Sequence, residues 1–167
     1  MPFVSLQSLN FPDRSIRHQN FLGEISQIQS DLDRHDATFQ IRDGAGLGDL
    51  VMLRSLNFPL HVLRHQDFRV KLHEYNPPIF APPESGLGQR PETPEERLLR
   101  EDASFFMVPG LADSSGVSFR SLNFPDRFLR HRDFHLFVEA VNDDLGHKDS
   151  TFRLIEPFAL PEPIIVH

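Results

Sequence analysis

The sequence predicts an all-β protein, a β-trefoil of three pseudo-symmetric repeats, and two observations support that prediction. One phrase of 14 residues occurs three times, and a second, shorter phrase follows each copy. Each repeat spans roughly 47 residues, once an insertion in the second is set aside, and carries signals for about four short strands. Three units of four strands fit a six-stranded barrel with a cap of hairpins. A β-propeller is the rival fold, but three blades fall below its usual range of about 4–8.

The two phrases define the repeats. The first begins Ser-Leu-Asn-Phe-Pro, ends Arg-His-x-x-Phe, and occupies residues 8–21, 55–68 and 121–134. The second reads Asp-Ala/Ser-Thr/Ser-Phe and occupies residues 36–39, 102–105 and 149–152. The His of the first phrase precedes the Asp of the second by 18 positions in two copies and by 37 in the middle one, which therefore has 19 extra residues. We expect a single domain over residues 1–167, with repeats at about 4–50, 51–116 and 117–160.

The extra residues form a Pro-rich insertion between the two phrases of the second repeat, at about 76–97. It holds six of the 14 prolines of the chain. Because proline lacks an amide hydrogen and fixes φ, such a segment cannot form the interior of a helix or sheet. We expect an exposed, partly extended loop with a short helix at Glu95 to Arg100.

Within a repeat the local pattern predicts strands, and helical periodicity is absent. Ser-Leu-Asn-Phe-Pro is expected to place its Leu and Phe on one face, with a turn at Asn or Pro. In the third repeat, further strands are expected at Phe128 to His131, within Phe134 to Val141, and at Thr151 to Ile155.

Composition excludes several classes of function. Hydrophobic residues make up 39% of the chain, with 16 Phe, which is enough for a packed core. The net charge of -7 argues against nucleic acid as a partner, and the absence of Cys excludes disulfides, thiol nucleophiles and cysteine metal sites. The chain has no apolar run of roughly 18 residues, so no membrane span is predicted. No signal peptide is visible, and localisation stays open. We expect a monomer without a cofactor.

Polar residues repeat together with the apolar ones, and two interpretations compete. In the structural one, the Asn residues set the turn before Pro, the Arg and His residues satisfy backbone groups at strand ends, and the Asp residues cap or turn the chain before a strand. In the functional one, each His meets the Asp of its own repeat at the mouth of a pocket. A carboxylate accepts two hydroxyl hydrogen bonds and an imidazole accepts or donates one, which suits the vicinal hydroxyls of a sugar.

These phrases, together with Pro-Gly-Leu-Ala-Asp at residues 109–113, resemble the arabinose-binding domain of α-L-arabinofuranosidase B, carbohydrate-binding module family 42. The resemblance extends from about Val4 to Phe158. It implies a β-trefoil with up to three shallow pockets, each taking a terminal arabinofuranose side chain of arabinoxylan or arabinan. It also implies extracellular residence if the chain is a fragment of a secreted glycosidase. The sugar-binding residues expected on these grounds are His18, Asp36, His65, Asp102, Phe128, His131 and Asp149.

The sequence departs from the family pattern at several positions. The family often has Tyr before the Ile/Leu-Arg-His group, where this chain has Ser15, Val62 and Phe128, so that only Phe128 offers an aromatic ring to a sugar face. The second repeat also has Leu60-His61 in place of Asp-Arg, and it carries the insertion. We therefore rank the third pocket first, the first pocket next and the second last.

An enzyme is not predicted. A glycosidase needs two carboxyl groups about 5 to 10 Å apart with different protonation behaviour, and no such pair recurs. The adjacent acids Asp143 and Asp144 indicate a solvated loop, and His61 and His65 lie in a predicted strand, where helical metal-ligand spacing does not apply.

The sequence thus predicts a non-catalytic, lectin-like carbohydrate binder. Replacing Asp149 with Ala is expected to weaken binding and to leave the fold intact. The alternative is a protein-interaction scaffold with degenerate sugar pockets, which would use the Pro-rich loop and the acidic surface as its contact region.

Overall fold

The structure is a computed structural model, and it describes residues 2–43, 50–76 and 91–162. Within these ranges each repeat has the same order of elements: a strand, a two-stranded hairpin, a short helix and a final strand. The first repeat contains β1 (Phe3–Ser8), β2 (Ser15–Gln19), β3 (Leu22–Ser26), α1 (Asp31–Asp36) and β4 (Phe39–Asp43). The second contains β5 (Leu50–Ser55), β6 (His61–Gln66), β7 (Arg69–Glu74), α2 (Pro94–Asp102) and β8 (Phe105–Pro109). The third contains β9 (Val117–Ser121), β10 (Phe128–Arg132), β11 (His135–Glu139), α3 (Asp144–Asp149) and β12 (Phe152–Ile155).

The first and last strands of the repeats form a closed ring. Among the described residues, antiparallel pairing runs in the order β1, β4, β5, β8, β9, β12 and returns to β1. The returning pair joins the two ends of the chain, since Ser5 lies opposite Ile155 and Ser8 opposite Phe152. The prediction of an all-β protein is confirmed.

The hairpins β2-β3, β6-β7 and β10-β11 meet one another at one end of this ring. Their second strands pair mutually, β3 with β7, β7 with β11 and β11 with β3. At the meeting point, Nη1 of Arg69 donates to the backbone carbonyls of Gly23 (2.7 Å), Val70 (3.1 Å) and Leu136 (2.8 Å). These three carbonyls belong to the second residue of each second strand, so one guanidinium joins all three repeats.

The core fills the interior of the ring. The Phe of the shorter phrase is fully buried in every repeat, as Phe39, Phe105 and Phe152, and Phe119 joins them. The Leu or Ile before each Arg-His pair, namely Ile16, Leu63 and Leu129, packs in the same cluster. The regular placement of these residues in the phrases therefore reflects packing.

The helices are where the sequence pattern predicted least. The helix expected at Glu95 to Arg100 is present as α2, with Thr93 as its N-cap and Pro94 in its first turn. The helices α1 and α3 were not predicted, because six residues are too few to show a helical period. Much of the Pro-rich insertion, residues 77–90, lies outside the described residues.

None of the helices in the described ranges has the length and apolar character needed to cross a bilayer.

Candidate functional site

Each helix ends at the predicted Asp, which lies beside the Arg-His pair of the same repeat. Asp36, Asp102 and Asp149 are the last residues of their helices, and each is only 5% exposed. The His ring nitrogens lie close to an Oδ1 of these carboxylates, at 3.7 Å for His18, 3.5 Å for His65 and 3.6 Å for His131. The structure therefore brings together the three His and Asp pairs. They end a helix shortly before a strand, and their carboxylates accept hydrogen bonds from Arg and Asn side chains.

The third repeat shows the contacts of one such pair. Nη2 of Arg130 donates to Oδ2 of Asp149 at 2.5 Å. Nδ2 of Asn10 donates to Oδ1 of the same carboxylate at 2.8 Å. Nε2 of His131 lies 3.0 Å from Oδ1 of Asn10 and 3.3 Å from Oγ of Ser8. These five groups form one network of buried and partly buried side chains.

Asn10 belongs to the first repeat, so this network joins the last repeat to the first. The same rule holds elsewhere, since Asn57 of the second repeat donates to Asp36 and Asn123 of the third donates to Asp102, both at 2.8 Å. Each site thus lies between two consecutive repeats. We name them site 1 (Arg17, His18, Asp36, Asn57), site 2 (Arg64, His65, Asp102, Asn123) and site 3 (Arg130, His131, Asp149, Asn10).

The placement of the sites between repeats corrects one expectation. The substitution Leu60-His61 was expected to alter the pocket of the second repeat. In the structure the ring of His61 stacks on Phe21 at 6.0 Å and contacts Phe58 at 5.5 Å, and Phe58 in turn contacts His18 at 5.4 Å. The substitution therefore borders site 1.

The Arg residues bind a backbone carbonyl, as the structural interpretation expected, and they also bind the site Asp. In every repeat Nε of the Arg donates to the backbone carbonyl of the following His, at 2.8 to 3.2 Å. The same guanidinium also pairs with the site Asp, which sequence reasoning did not predict. The Asn residues likewise do more than set a turn, because their amides connect Asp to His across the repeat boundary.

Hydrogen-bond logic sets the protonation of the imidazole at site 3. The carboxylate of Asp149 only accepts, so Asn10 must turn its NH₂ group towards it and its carbonyl oxygen towards His131. That oxygen also only accepts, so Nε2 of His131 carries the hydrogen. Burial lowers the pKa of His131 and of His18, which favours the neutral ring with a lone pair on Nδ1.

The carboxylate keeps accepting capacity within this network. Oδ2 of Asp149 accepts from Arg130 and Oδ1 accepts from Asn10. Each carboxylate oxygen has about two lone-pair positions, so each retains one for a further donor. Site 3 therefore offers acceptors to a ligand that brings hydrogen-bond donors.

A cavity of about 350 Å³ lies over site 3. Its lining comprises Phe11, Arg130, His131, Arg132, Asp133, Phe134, Leu145 and Asp149. The rings of Phe11 and Phe134 meet edge to face at 5.2 Å. Phe128, the aromatic residue expected at this pocket, is not part of the lining: it begins β10 and lies opposite Glu139. The two rings that line the cavity, Phe11 and Phe134, are the Phe residues of the repeated first phrase. Their repetition in all three copies was a sequence signal for the pocket that the prediction did not use.

The acidic pair Asp143 and Asp144 and the residue His61, which the sequence analysis considered as catalytic or metal-binding candidates, have structural positions. Asp143 is the N-cap of α3 and accepts from the amide of Gly146 at 2.7 Å, while Asp144 is the first helical residue, so the expected solvated loop is a helix start. His61 lies in β6, as expected for a strand. In the described part of the chain, no three His, Asp or Glu side chains converge as metal ligands would.

Sequence comparison relates the chain to one family of domains. The profile of the alpha-L-arabinofuranosidase B (ABFB) domain matches residues 2–81 and 84–158. Alpha-L-arabinofuranosidase B of Aspergillus niger is 43% identical over 56 residues, which cover 32% of this chain and 11% of that enzyme. The chain therefore spans a small part of the curated relative that it matches.

Structure comparison bears on the fold. A crystal structure of an arabinofuranosidase complexed with arabinofuranosyl-alpha-1,2-xylobiose superposes with a TM-score of 0.75 at 19% identity, covering 95% of this chain and 31% of that one. A structure titled BEL beta-trefoil superposes with a TM-score of 0.61 at 14% identity, covering 92% and 91% of the two chains. Identities this low bear on the fold alone. The family profile, however, covers most of the chain in two segments, and on that ground the chain belongs to the alpha-L-arabinofuranosidase B domain family.

Proposed function

We propose that the protein is a non-catalytic carbohydrate-binding β-trefoil that recognises terminal arabinofuranose side chains of arabinoxylan or arabinan, with site 3 as its principal pocket. The observation that carries the proposal is the arrangement at site 3, where a buried carboxylate and a neutral imidazole lie at a cavity with aromatic walls. Membership in the arabinofuranosidase B domain family supports the choice of sugar. So does the related enzyme whose crystal structure contains an arabinofuranosyl xylobiose.

The chemistry of site 3 favours a polyol. Its free positions are lone pairs, on Asp149 and on the Nδ1 of His131, and hydroxyl groups supply the donors that these positions need. A ligand rich in acceptors, such as a phosphate, would meet the carboxylate unfavourably. Vicinal hydroxyls of a furanose fit both carboxylate oxygens at once.

The size of the cavity favours a single sugar ring over an extended chain. A cavity of about 350 Å³ falls at the small end of ligand sites, and the chain contains no Trp to form a flat stacking platform. Binding at one such pocket is expected to be weak, because hydroxyl hydrogen bonds to the protein replace those to water. Repeated sites raise avidity on a branched glycan through effective concentration.

We also propose that the fold be classed as a β-trefoil. The closed ring of first and last strands, with three hairpins meeting at one end, supports this assignment among the described residues. The superposition on a protein titled as a β-trefoil supports it as well.

No catalysis is proposed for this chain. A glycosidase requires one carboxyl group with a raised pKa as acid and a second as nucleophile or base. At site 3, Asp133 also lines the cavity, but it is exposed at a hairpin turn, and both oxygens of Asp149 already accept hydrogen bonds. Hydrolysis is therefore assigned to separate catalytic domains of the relatives.

The test is a titration of the native protein at pH 7.5 with methyl α-L-arabinofuranoside, which fixes the furanose ring, followed by amide NMR spectra. Shifts that saturate at His131 and Asp149 support the proposal, and shifts at His18 and Asp36 add site 1. The corresponding xyloside serves as the control ligand. Absence of shifts at all three sites up to about 50 mM would overturn it, since affinities down to the millimolar range are visible by this readout.

A matched pair of variants assigns the binding to site 3. Asp149→Asn keeps the shape of the side chain but turns a new NH₂ donor towards Arg130 or Asn10, so it is expected to lower stability as well as binding. At a temperature where its amide spectrum shows a folded protein, it is expected to lose the shifts at site 3 alone. Asp31→Asn, at a carboxylate that is 90% exposed, is expected to change nothing. Equal binding by native protein and Asp149→Asn would exclude the carboxylate as the sugar-binding group.

A further inference from the structure

Three leucines stand exposed at equivalent positions beside the three sites. Each lies four residues before the site Asp, in its short helix, and their exposed fractions are 64% for Leu32, 54% for Leu98 and 60% for Leu145. The helices around them differ, reading Asp-Leu-Asp-Arg-His-Asp in α1 and Asp-Leu-Gly-His-Lys-Asp in α3, and α2 is longer. A single exposed leucine needs no explanation, but repetition in three otherwise different helices does.

Each site also has a Phe whose backbone adopts an unfavourable left-handed conformation. Phe21, Phe68 and Phe134 occupy the second position of the two-residue hairpin turns with φ of 62°, 64° and 65°. That left-handed region favours glycine, because a Cβ there crowds the backbone. Phe134 is nevertheless 38% exposed, with the guanidinium of Arg14 at 3.8 Å from the centre of its ring. Its ring is thus held at the surface and does not enter the core.

At site 3 these two residues share one cavity with the polar groups. Leu145 and Phe134 line it together with Asp149, and Phe11 closes the wall against Phe134 at 5.2 Å. The cavity therefore has a polar floor and an apolar wall. The hydroxyl groups of a free sugar bind at the floor, and its C–H groups cover part of the wall. A glycoside also presents a substituent without a donor at its anomeric carbon.

We propose that the wall formed by Leu145, Phe134 and Phe11 is a subsite for the group linked to the anomeric carbon of the bound furanose. This inference rests on the proposed function and specifies its ligand: a glycosidically linked residue, with an apolar C–H face or ring next to the linkage. Leu32 with Phe21, and Leu98 with Phe68, hold the corresponding positions at sites 1 and 2. The sites accordingly bind side chains on a glycan in preference to the released sugar.

The experiment compares two furanosides that differ only in that group, methyl and 4-nitrophenyl α-L-arabinofuranoside, by NMR titration at site 3. Native protein is expected to bind the nitrophenyl glycoside more tightly. Truncation of Leu145 in Leu145→Ala removes three carbons of a partly buried contact, which corresponds to about a five-fold loss for the nitrophenyl glycoside. Affinity for the methyl glycoside is expected to stay within about two-fold. The matched control is Leu154→Ala, a leucine 42% exposed on β12 that does not line the cavity.

The outcomes separate the two levels of the proposal. If neither furanoside shifts site 3 in the native protein, the proposed function fails and the subsite with it. If both furanosides bind equally, or if Leu145→Ala weakens both to the same extent, the sugar site stands and the subsite is refuted. A selective loss for the nitrophenyl glycoside in Leu145→Ala, absent in Leu154→Ala, supports the subsite.

Discussion

Removal of the Asp149 carboxylate is expected to destabilise the fold, so that Asp149→Ala is not a clean binding variant. Asp149 and Arg130 have side chains only 7% and 14% exposed, and the variant leaves the guanidinium without its partner. Breaking a buried ion pair by removing one member costs about 3–5 kcal/mol. Glu139, with an oxygen 3.8 Å from Nε of Arg130, remains and places the loss at the lower end, about 3 kcal/mol.

The assay is urea unfolding followed by circular dichroism, with thermal unfolding alongside it. A loss of about 3 kcal/mol corresponds to a fall in Tm of about 6–12 °C for a domain of this size. The control is Asp31→Ala, whose partner Arg34 is 47% exposed and whose loss is expected to cost about 0.5 kcal/mol. Equal losses in the two variants, or an Asp149→Ala protein as stable as the native one, would refute the reasoning. The expectation from sequence that this variant leaves the fold intact does not fit the buried network.

Three further predictions concern the rest of the molecule. Arg69→Leu removes the guanidinium that joins three backbone carbonyls and is expected to cost about 2 kcal/mol in urea unfolding, against about 0.5 kcal/mol for Lys71→Ala, which removes one exposed hydrogen bond to Gln66. Burial lowers the pKa of His18 and His131 in the folded state. The free energy of unfolding is therefore expected to be constant above the unfolded pKa of about 6.5 and to fall as the pH decreases below it. An increase in stability as the pH falls below about 6.5 would contradict the assignment. Backbone hydrogen bonds lower the pKa of Asp33 to about 2, so a further loss is expected as pH falls from about 3.8 to 2, and Asp33→Asn is expected to remove it.

The strands were predictable because the repeated phrases mark their ends. Ser-Leu-Asn-Phe-Pro begins at the last residue of β1, β5 and β9, and Arg-His lies inside the first strand of each hairpin. The helices were not predictable by periodicity, although α1 has a complete capping box between Ser30 and Asp33. Six residues make less than two turns, so the capping residues were the only local signal.

The candidate site was predictable in part. The His and Asp of one repeat were expected to meet, and they do, because a hairpin strand and a helix of the same repeat pack together. The contribution of the next repeat was not predictable, since identical phrases do not reveal which copies become neighbours. Ring closure decides this, by bringing Asn10 to Asp149 across 139 positions of sequence. For the same reason His61 was expected at the pocket of the second repeat, although it borders site 1.

The buried networks also explain why polar residues repeat with the apolar ones. Arg, His, Asp and Asn are identical at all three sites, while the second partner of the Arg varies, from Asp33 at site 1 to His73 at site 2 and Glu139 at site 3. The constant Asn, Asp and His connect consecutive repeats, and the constant Arg binds the Asp within its own repeat. A change in any of them would leave a buried polar group unpaired. Their repetition is therefore required by the architecture and does not by itself mark three working pockets. What distinguishes the sites is the rim, where the Phe of the hairpin turn is covered by Arg14 at site 3, by Arg127 at site 2 and by His61 at site 1. Differences in sugar affinity among the three sites should follow these rim residues, and the constant networks beneath them should not alter that order.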